Sequence, residues 1–147
     1  MKQKILICGA GRVGLSITEH LSNEGFDITV IDSNPEALQK VTELYDVQGV
    51  LGLASHPNVL EDAGIKDTDM IIAVTQSDEI NITACHLSKS LFATPTMIIR
   101  IRSKAYLDPK YSELLSKAVK KKLNILCYDC KFSSKGIKLN QKIKYKI

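Results

Sequence analysis

Tryptophan is missing from this 147-residue chain, and aromatic residues make up only 5% of it. Proteins that grip single-stranded nucleic acid stack bases on aromatic side chains, so that class is disfavoured. No apolar run approaches the roughly 18 residues that a membrane-spanning helix requires. The opening MKQKILICGAG has the basic start of a secretion signal. Its apolar run is too short and glycines interrupt it at once, so a cytoplasmic location is expected. Cysteine is sparse: Cys8, Cys85, Cys127 and Cys130. They do not resemble a disulfide framework, which points to a reducing compartment. His56 has no Cys or His at ligand spacing, and His20 and His86 fall on expected helices as structural residues, so no metal site is expected. No Ser-His-Asp or Cys-His set can be assembled either, so no catalytic residue is assigned.

Charge is present but unevenly spread. Residues 1–116 carry 10 Lys and Arg against 15 Asp and Glu, a net of −5. Residues 117–147 carry 10 Lys against the single acid Asp129, a net of +9. The chain is an acidic domain with a basic tail, so its overall pI says little about partners.

What the sequence does contain is a regular alternation of short strands and helices. Lys4 to Cys8 is a near-continuous apolar run, as in a parallel strand buried on both faces. Val13, Ile17 and Leu21 then repeat at helical spacing until Gly25 stops the helix. Asp27 to Asp32 is a second strand, and Asn34-Pro35 caps a second helix with Leu38, Val41 and Tyr45 inward. Val47 to Leu51 is a third strand, and Pro57 to Ala63 a short helix ended by Gly64. Asp69 to Val74 is a fourth strand. A helix over about Asp78 to Phe92 follows, with Ile80, Ala84, Leu87 and Leu91 on one face. Thr96 to Ile101 is a fifth strand, and a turn and helix starting near Pro109 should fill Tyr106 to Val119. Strands alternating with helices over short connections predict an α/β fold: a Rossmann-like, doubly wound parallel sheet in a three-layer αβα arrangement. The expected strand order is 3-2-1-4-5, with a ligand crevice outside the carboxyl ends of strands one and four.

Gly9-Ala10-Gly11-Arg12-Val13-Gly14 fits G-x-G-x-x-G, follows a strand and opens a helix. Asp32 closes the next strand 18 residues after Gly14. That context makes the match a dinucleotide-binding fingerprint. Gly9 permits the tight turn, Gly11 lets the backbone approach a pyrophosphate, and Gly14 lets the helix pack closely. The helix N-terminus then faces the phosphates. Asp32 can accept hydrogen bonds from ribose hydroxyls and would repel a 2′-phosphate, which favours NAD(H) over NADP(H). A glycine-rich turn without a ligand is the alternative. Arg12 either reaches a terminal phosphate, which would admit ATP or ADP, or is a solvated surface residue. Ser33 should border the same site. So should Gly52, Leu53, Ala54 and Ser55 after strand three, and Val74, Thr75, Gln76, Ser77 and Asp78 after strand four. Asp78 and Glu79 could equally be helix-start acids favoured by the dipole, and Asn81 a polar surface residue.

Five segments together resemble one family. They are the phosphate loop, Gly52-Leu53-Ala54-Ser55-His56-Pro57, Leu60-Glu61-Asp62-Ala63-Gly64-Ile65, Ala73-Val74-Thr75-Gln76-Ser77-Asp78-Glu79-Ile80-Asn81, and Ile99-Arg100-Ile101-Arg102-Ser103. In order and spacing they resemble the nucleotide-binding domain of Trk potassium uptake regulators (TrkA type, RCK/KTN domain), over residues 3–116. The resemblance implies a cytoplasmic sensor at the inner face of the cell membrane, not an enzyme. It implies NAD(H) or, alternatively, ATP/ADP as ligand, and a potassium-translocating membrane subunit as partner. It implies self-association as a dimer or higher ring. By the same resemblance Arg102 is a phosphate or inter-subunit contact. The competing functions are an NAD-dependent oxidoreductase fragment and a nonfunctional remnant of the potassium regulator.

The resemblance stops around residue 117. The expected division is therefore a nucleotide-binding domain over 1–119 and a divergent Lys-rich tail over 120–147. Lys, Ile, Asn, Tyr and Phe make up 18 of the last 28 residues, a bias toward A/T-rich codons. A frameshift or truncation at Lys120 to Lys122 is one reading of that bias. A basic arm for anionic lipid or nucleic acid is another, disfavoured by the lack of interleaved aromatics. A Cys127-x-x-Cys130 redox or zinc half-site is a third, and it lacks a second Cys pair. In the last reading, Leu123 to Tyr128 is a sixth strand covering the sheet edge.

Overall fold

A computed structural model describes residues 2–108, 110, 123–126 and 145–146. The chain opens with β1 (Lys4–Cys8), α1 (Arg12–Asn23), β2 (Asp27–Asp32), α2 (Pro35–Leu44) and β3 (Gln48–Leu51). It continues with α3 (Pro57–Asp62), β4 (Met70–Ala73), α4 (Asp78–Phe92), β5 (Thr96–Arg100) and α5 (Lys104–Leu107). Two further strands are β6 (Leu123–Leu126) and β7 (Tyr145–Lys146).

The sheet order is β3-β2-β1-β4-β5-β6-β7. Every pairing from β3 to β6 is parallel, and β7 joins β6 antiparallel. The expected 3-2-1-4-5 order is therefore present, and the chain reverses its winding between β1 and β4. The sixth strand is also present as Leu123–Leu126, while Tyr128 lies outside the described residues. So do Cys127, Cys130 and most of the helix expected from Pro109. The helical turn that is described starts earlier, at Lys104, because the Ser103 side chain accepts the Ala105 N–H at 3.3 Å.

Period-2 alternation along the strands divides the core into two layers. Ile5 and Ile7 face Val13, Ile17 and Leu21 of α1 and Val41 of α2. Leu6 and Cys8 face Leu60 of α3 and Ala84 and Cys85 of α4. This is the three-layer αβα architecture. The helices start where their sequences say. Asn34 accepts the Glu36 N–H at 2.9 Å ahead of Pro35, and Ser77 accepts the Ile80 N–H at 3.2 Å.

The apolar face of α4 is not its most deeply buried one. On α4 the buried stripe is Asn81, Ala84, Cys85 and Ser88, whereas Leu91 is 59% exposed and Ile80 and Leu87 are only partly buried. Small residues let this helix lie close to the sheet. Their polar atoms are satisfied at no cost to the packing: the Ser88 hydroxyl donates to the Ala84 carbonyl at 2.6 Å.

Candidate functional site

The carboxyl ends of β1, β2, β4 and β5 converge on a cleft of about 660 Å3. That size lies within the roughly 300–1,000 Å3 typical of small-molecule sites. Its floor is the glycine loop. Gly9 adopts φ +111°, and a Cβ there would lie 3.0 Å from the Val74 and Thr75 backbone. A Cβ on Gly14 would lie 1.7 Å from the Gly9 carbonyl oxygen, so the start of α1 rests directly on the loop. Gly11 differs: nothing stands within 4 Å of the position its Cβ would take, although Gly11 lines the cleft. Space beside the backbone at this one glycine is what an approaching phosphate needs. Helix α1 has no side-chain cap and no acid in its first turn, in contrast to the capped α2 and α4. Its N-terminal field is left to whatever enters the cleft.

Asp32 braces one side. Its Oδ2 accepts the Ala10 N–H at 2.6 Å and its Oδ1 the Asn34 N–H at 2.7 Å. Each carboxylate oxygen keeps a further lone pair, and Asp32 lines the cleft. The other side is built on Asn81, which is fully buried rather than a surface residue. Its Oδ1 accepts the Thr75 N–H at 2.9 Å and the Thr75 hydroxyl at 2.6 Å. Its Nδ2 donates to the Thr75 carbonyl at 3.2 Å and the Arg100 carbonyl at 3.0 Å. Just outside, Glu79 accepts the Tyr106 hydroxyl at 3.0 Å and the Ser77 hydroxyl at 3.1 Å. Its own backbone N–H, then Tyr106 and Ser77, hold the Glu79 carboxyl below its ordinary range. The same bond is the first cause raising the Tyr106 phenol.

Most residues expected at the site from sequence meet here. Gly9, Gly11, Arg12, Val13, Asp32 and Ser33 line the cleft from the first half of the chain. Gly52, Leu53 and Ala54 follow β3, and Val74, Thr75, Ser77 and Arg102 complete the set. Four do not line it: Ala10 and Gly14 support the loop, Ser55 lies outside, and the Asp78 carboxylate is bound to backbone behind Arg102. Gln76, inside the stretch expected after β4, lines it too, and the sequence reading did not place Ile31, Asn34, Ala37, Ile80 and Arg100, which also line it. Arg100 had a signal: it is a cation ending the otherwise apolar strand TMIIR. Arg12, Arg100 and Arg102 thus line a cleft where, among the described residues, Asp32 is the one carboxylate in the lining. The balance suits a polyanion that also offers hydroxyls.

Among the described residues, no group of three His, Cys, Asp or Glu is arranged to hold a metal ion. Nor is any described helix long and apolar enough to cross a membrane.

A family model, the TrkA-N domain, matches residues 5–121. The Trk system potassium uptake protein TrkA of Azorhizobium caulinodans is 47% identical over 114 residues, 78% of this chain and 25% of that one. Its counterpart from Vibrio alginolyticus is 46% identical over 116 residues, 79% of this chain and 25% of that one. The chain thus spans about a quarter of the length of these relatives. Among solved structures, the TrkA-N domain of Escherichia coli inner membrane protein ybaL superposes with a TM-score of 0.70 at 16% identity, covering 85% of this chain and 88% of that one. A GsuK channel bound to NAD superposes at 0.66 with 22% identity, covering 84% of this chain and 21% of that one. GsuK bound to ADP superposes at 0.65 with 22% identity, covering 84% and 31%. At these identities the structural matches establish the fold.

Proposed function

The chain belongs to the TrkA-N domain family, and from that premise we propose that it is a nucleotide-sensing unit of a potassium uptake regulator. The observation that carries this reading is the cleft itself. A glycine loop with open space at Gly11, a carboxylate at Asp32 and three arginines line one site. NAD(H) is the proposed ligand, supported by the loop and Asp32. ATP or ADP is the second reading, favoured by the arginines at the far side of the cleft. The curated relatives are named as Trk potassium uptake proteins, and one neighbouring fold was solved with NAD and with ADP. Those names support a membrane-embedded, potassium-translocating subunit as partner, with this unit at its cytoplasmic face. Paired or ring-forming copies would let ligand occupancy alter the partner's gate. The sensing unit is proposed to span residues 1–119, with 120–147 a Lys-rich extension.

The proposed role is binding rather than turnover. An oxidoreductase would instead oxidise NADH in the presence of a small carbonyl substrate, and that assay separates the two classes. Binding itself is tested by thermal unfolding with NAD⁺, NADH, ATP, ADP and NADPH. A ligand present at about 100 times its Kd adds about 2.7 kcal/mol of stability. No shift with any of them would reject the sensor reading. Asp32→Ala should weaken NADH and narrow its advantage over NADPH; unchanged selectivity would count against the ribose role.

A further inference from the structure

Helix α4 presents two buried polar side chains to the cleft wall, and neither lines the cleft. Asp78 is 7% exposed. Its Oδ1 accepts the Arg102 N–H at 2.9 Å and its Oδ2 the Ser103 N–H at 2.7 Å. Two adjacent N–H groups require a double acceptor. A carboxylate supplies one, while an amide of the same shape supplies one acceptor and one donor. One turn on, Asn81 grips Thr75 and the Arg100 carbonyl. The helix therefore holds both rims of this half of the cleft, the segment after β4 and the segment after β5.

The consequence falls on Arg102. Its own N–H is committed to Asp78, so only its guanidinium can serve a ligand. Arg102 is exposed, and its guanidinium's one hydrogen bond among the described residues, to the Gln76 carbonyl at 3.5 Å, is too long to restrain it. Asp32 ends β2 and Arg102 follows β5, three strand spacings away in the order β2-β1-β4-β5. At about 4.8 Å per strand that is about 14 Å. The long Arg102 side chain covers part of that distance, and each added phosphate carries the ligand's charge further from a ribose held at Asp32 toward that guanidinium.

Resting on the nucleotide reading of the cleft, we infer that Asp78 is a positioning residue: it fixes the loop that carries Arg102 so that the site distinguishes nucleotides by phosphate number. It acts through Arg102 and touches no ligand.

Titration calorimetry with AMP, ADP and ATP tests this on the full chain, comparing wild type, Asp78→Asn, Arg102→Gln and the double variant. Asp78→Asn should weaken ADP and ATP by about tenfold, the worth of one charge-assisted hydrogen bond, and leave AMP within about twofold. Arg102→Gln should do the same, and the double variant should lose no more than either alone. Equal weakening of AMP and ATP by Asp78→Asn, or losses that add in the double variant, would overturn the inference. Should Asp78→Asn not fold, the exposed Arg102→Gln decides alone: an unchanged ATP-to-AMP ratio overturns it. Wild-type protein that binds none of the three rejects the ATP/ADP reading and this inference with it, while the NAD(H) reading stands or falls by the unfolding test. Nucleotide binding with an unaltered ratio in the variants rejects only the inference.

Discussion

Two glycines of one loop separate folding from binding at the level of single residues. A methyl group at Gly14 has nowhere to go, with the Gly9 carbonyl oxygen 1.7 Å from its Cβ position. Gly14→Ala should cost about 3 kcal/mol or prevent folding, as overpacking against a rigid backbone does. At Gly11 the space is open and φ is −71°, which any residue adopts. Gly11→Ala should unfold within about 0.5 kcal/mol of wild type in urea, as an unstrained surface substitution does, yet bind nucleotide more weakly. Equal stability losses in the two variants would contradict this division. The G-x-G-x-x-G spacing and Asp32 made the first half of the cleft legible from sequence, because each residue there acts through the local backbone. Arg100 and Asn81 were not legible. Their roles depend on β5 lying beside β4, a pairing between residues distant in sequence.

At the level of elements, β1, β2 and α4 begin and end where the sequence pattern places them, at Lys4–Cys8, Asp27–Asp32 and Asp78–Phe92. The inward face of α4 did not follow from hydrophobicity. The apolar series Ile80, Ala84, Leu87 and Leu91 competes with the series Asn81, Ala84, Cys85 and Ser88, and only contact with the sheet decides between them. The smaller series wins because its polar members find partners and its small side chains permit close approach. Two substitutions check the orientation by urea unfolding. Leu91→Lys, at a position 59% exposed, should change stability by no more than about 0.5 kcal/mol. Ala84→Leu, at a fully buried position, should destabilise by about 1–3 kcal/mol through overpacking. A large loss from Leu91→Lys would restore the hydrophobic face as the inward one.

The molecule as a whole should lose stability in alkali for a reason lodged in its centre. Cys8 on β1 and Cys85 on α4 are fully buried in one core layer. Burial pushes the Cys8 thiol from 9.0 up to about 12. Burial first, and then the neighbouring Cys8, raises Cys85 well above 9.0. In the unfolded chain both ionise near 9.0, whereas in the folded chain they stay protonated. Between pH 9 and about 12 the unfolded state therefore binds fewer protons, so stability is whole below 9 and falls as pH rises. Each thiol contributes a slope of about 1.4 kcal/mol per pH unit. Urea unfolding from pH 8 upward should show a shallower decline for Cys85→Ala than for wild type; parallel declines would exclude the thiols as the cause.

The reversal of winding between β1 and β4 gives the cleft a mechanical meaning. One wall belongs to β1, β2 and β3, and the other to β4 and β5, so the sheet is two consecutive stretches of chain joined along a single ladder. Backbone bonds continue past the strand ends at the mouth: Gly9 N–H donates to the Ile31 carbonyl at 2.8 Å within the first wall, and Val74 N–H to the Cys8 carbonyl at 2.8 Å across the joint. A molecule held by Asp32 at one end and Arg102 at the other would lie across that ladder like a rivet through two plates. Its departure would free the halves to shear by small amounts, and the α5 turn, fastened to the second plate through Ser103 and Tyr106, would travel with it.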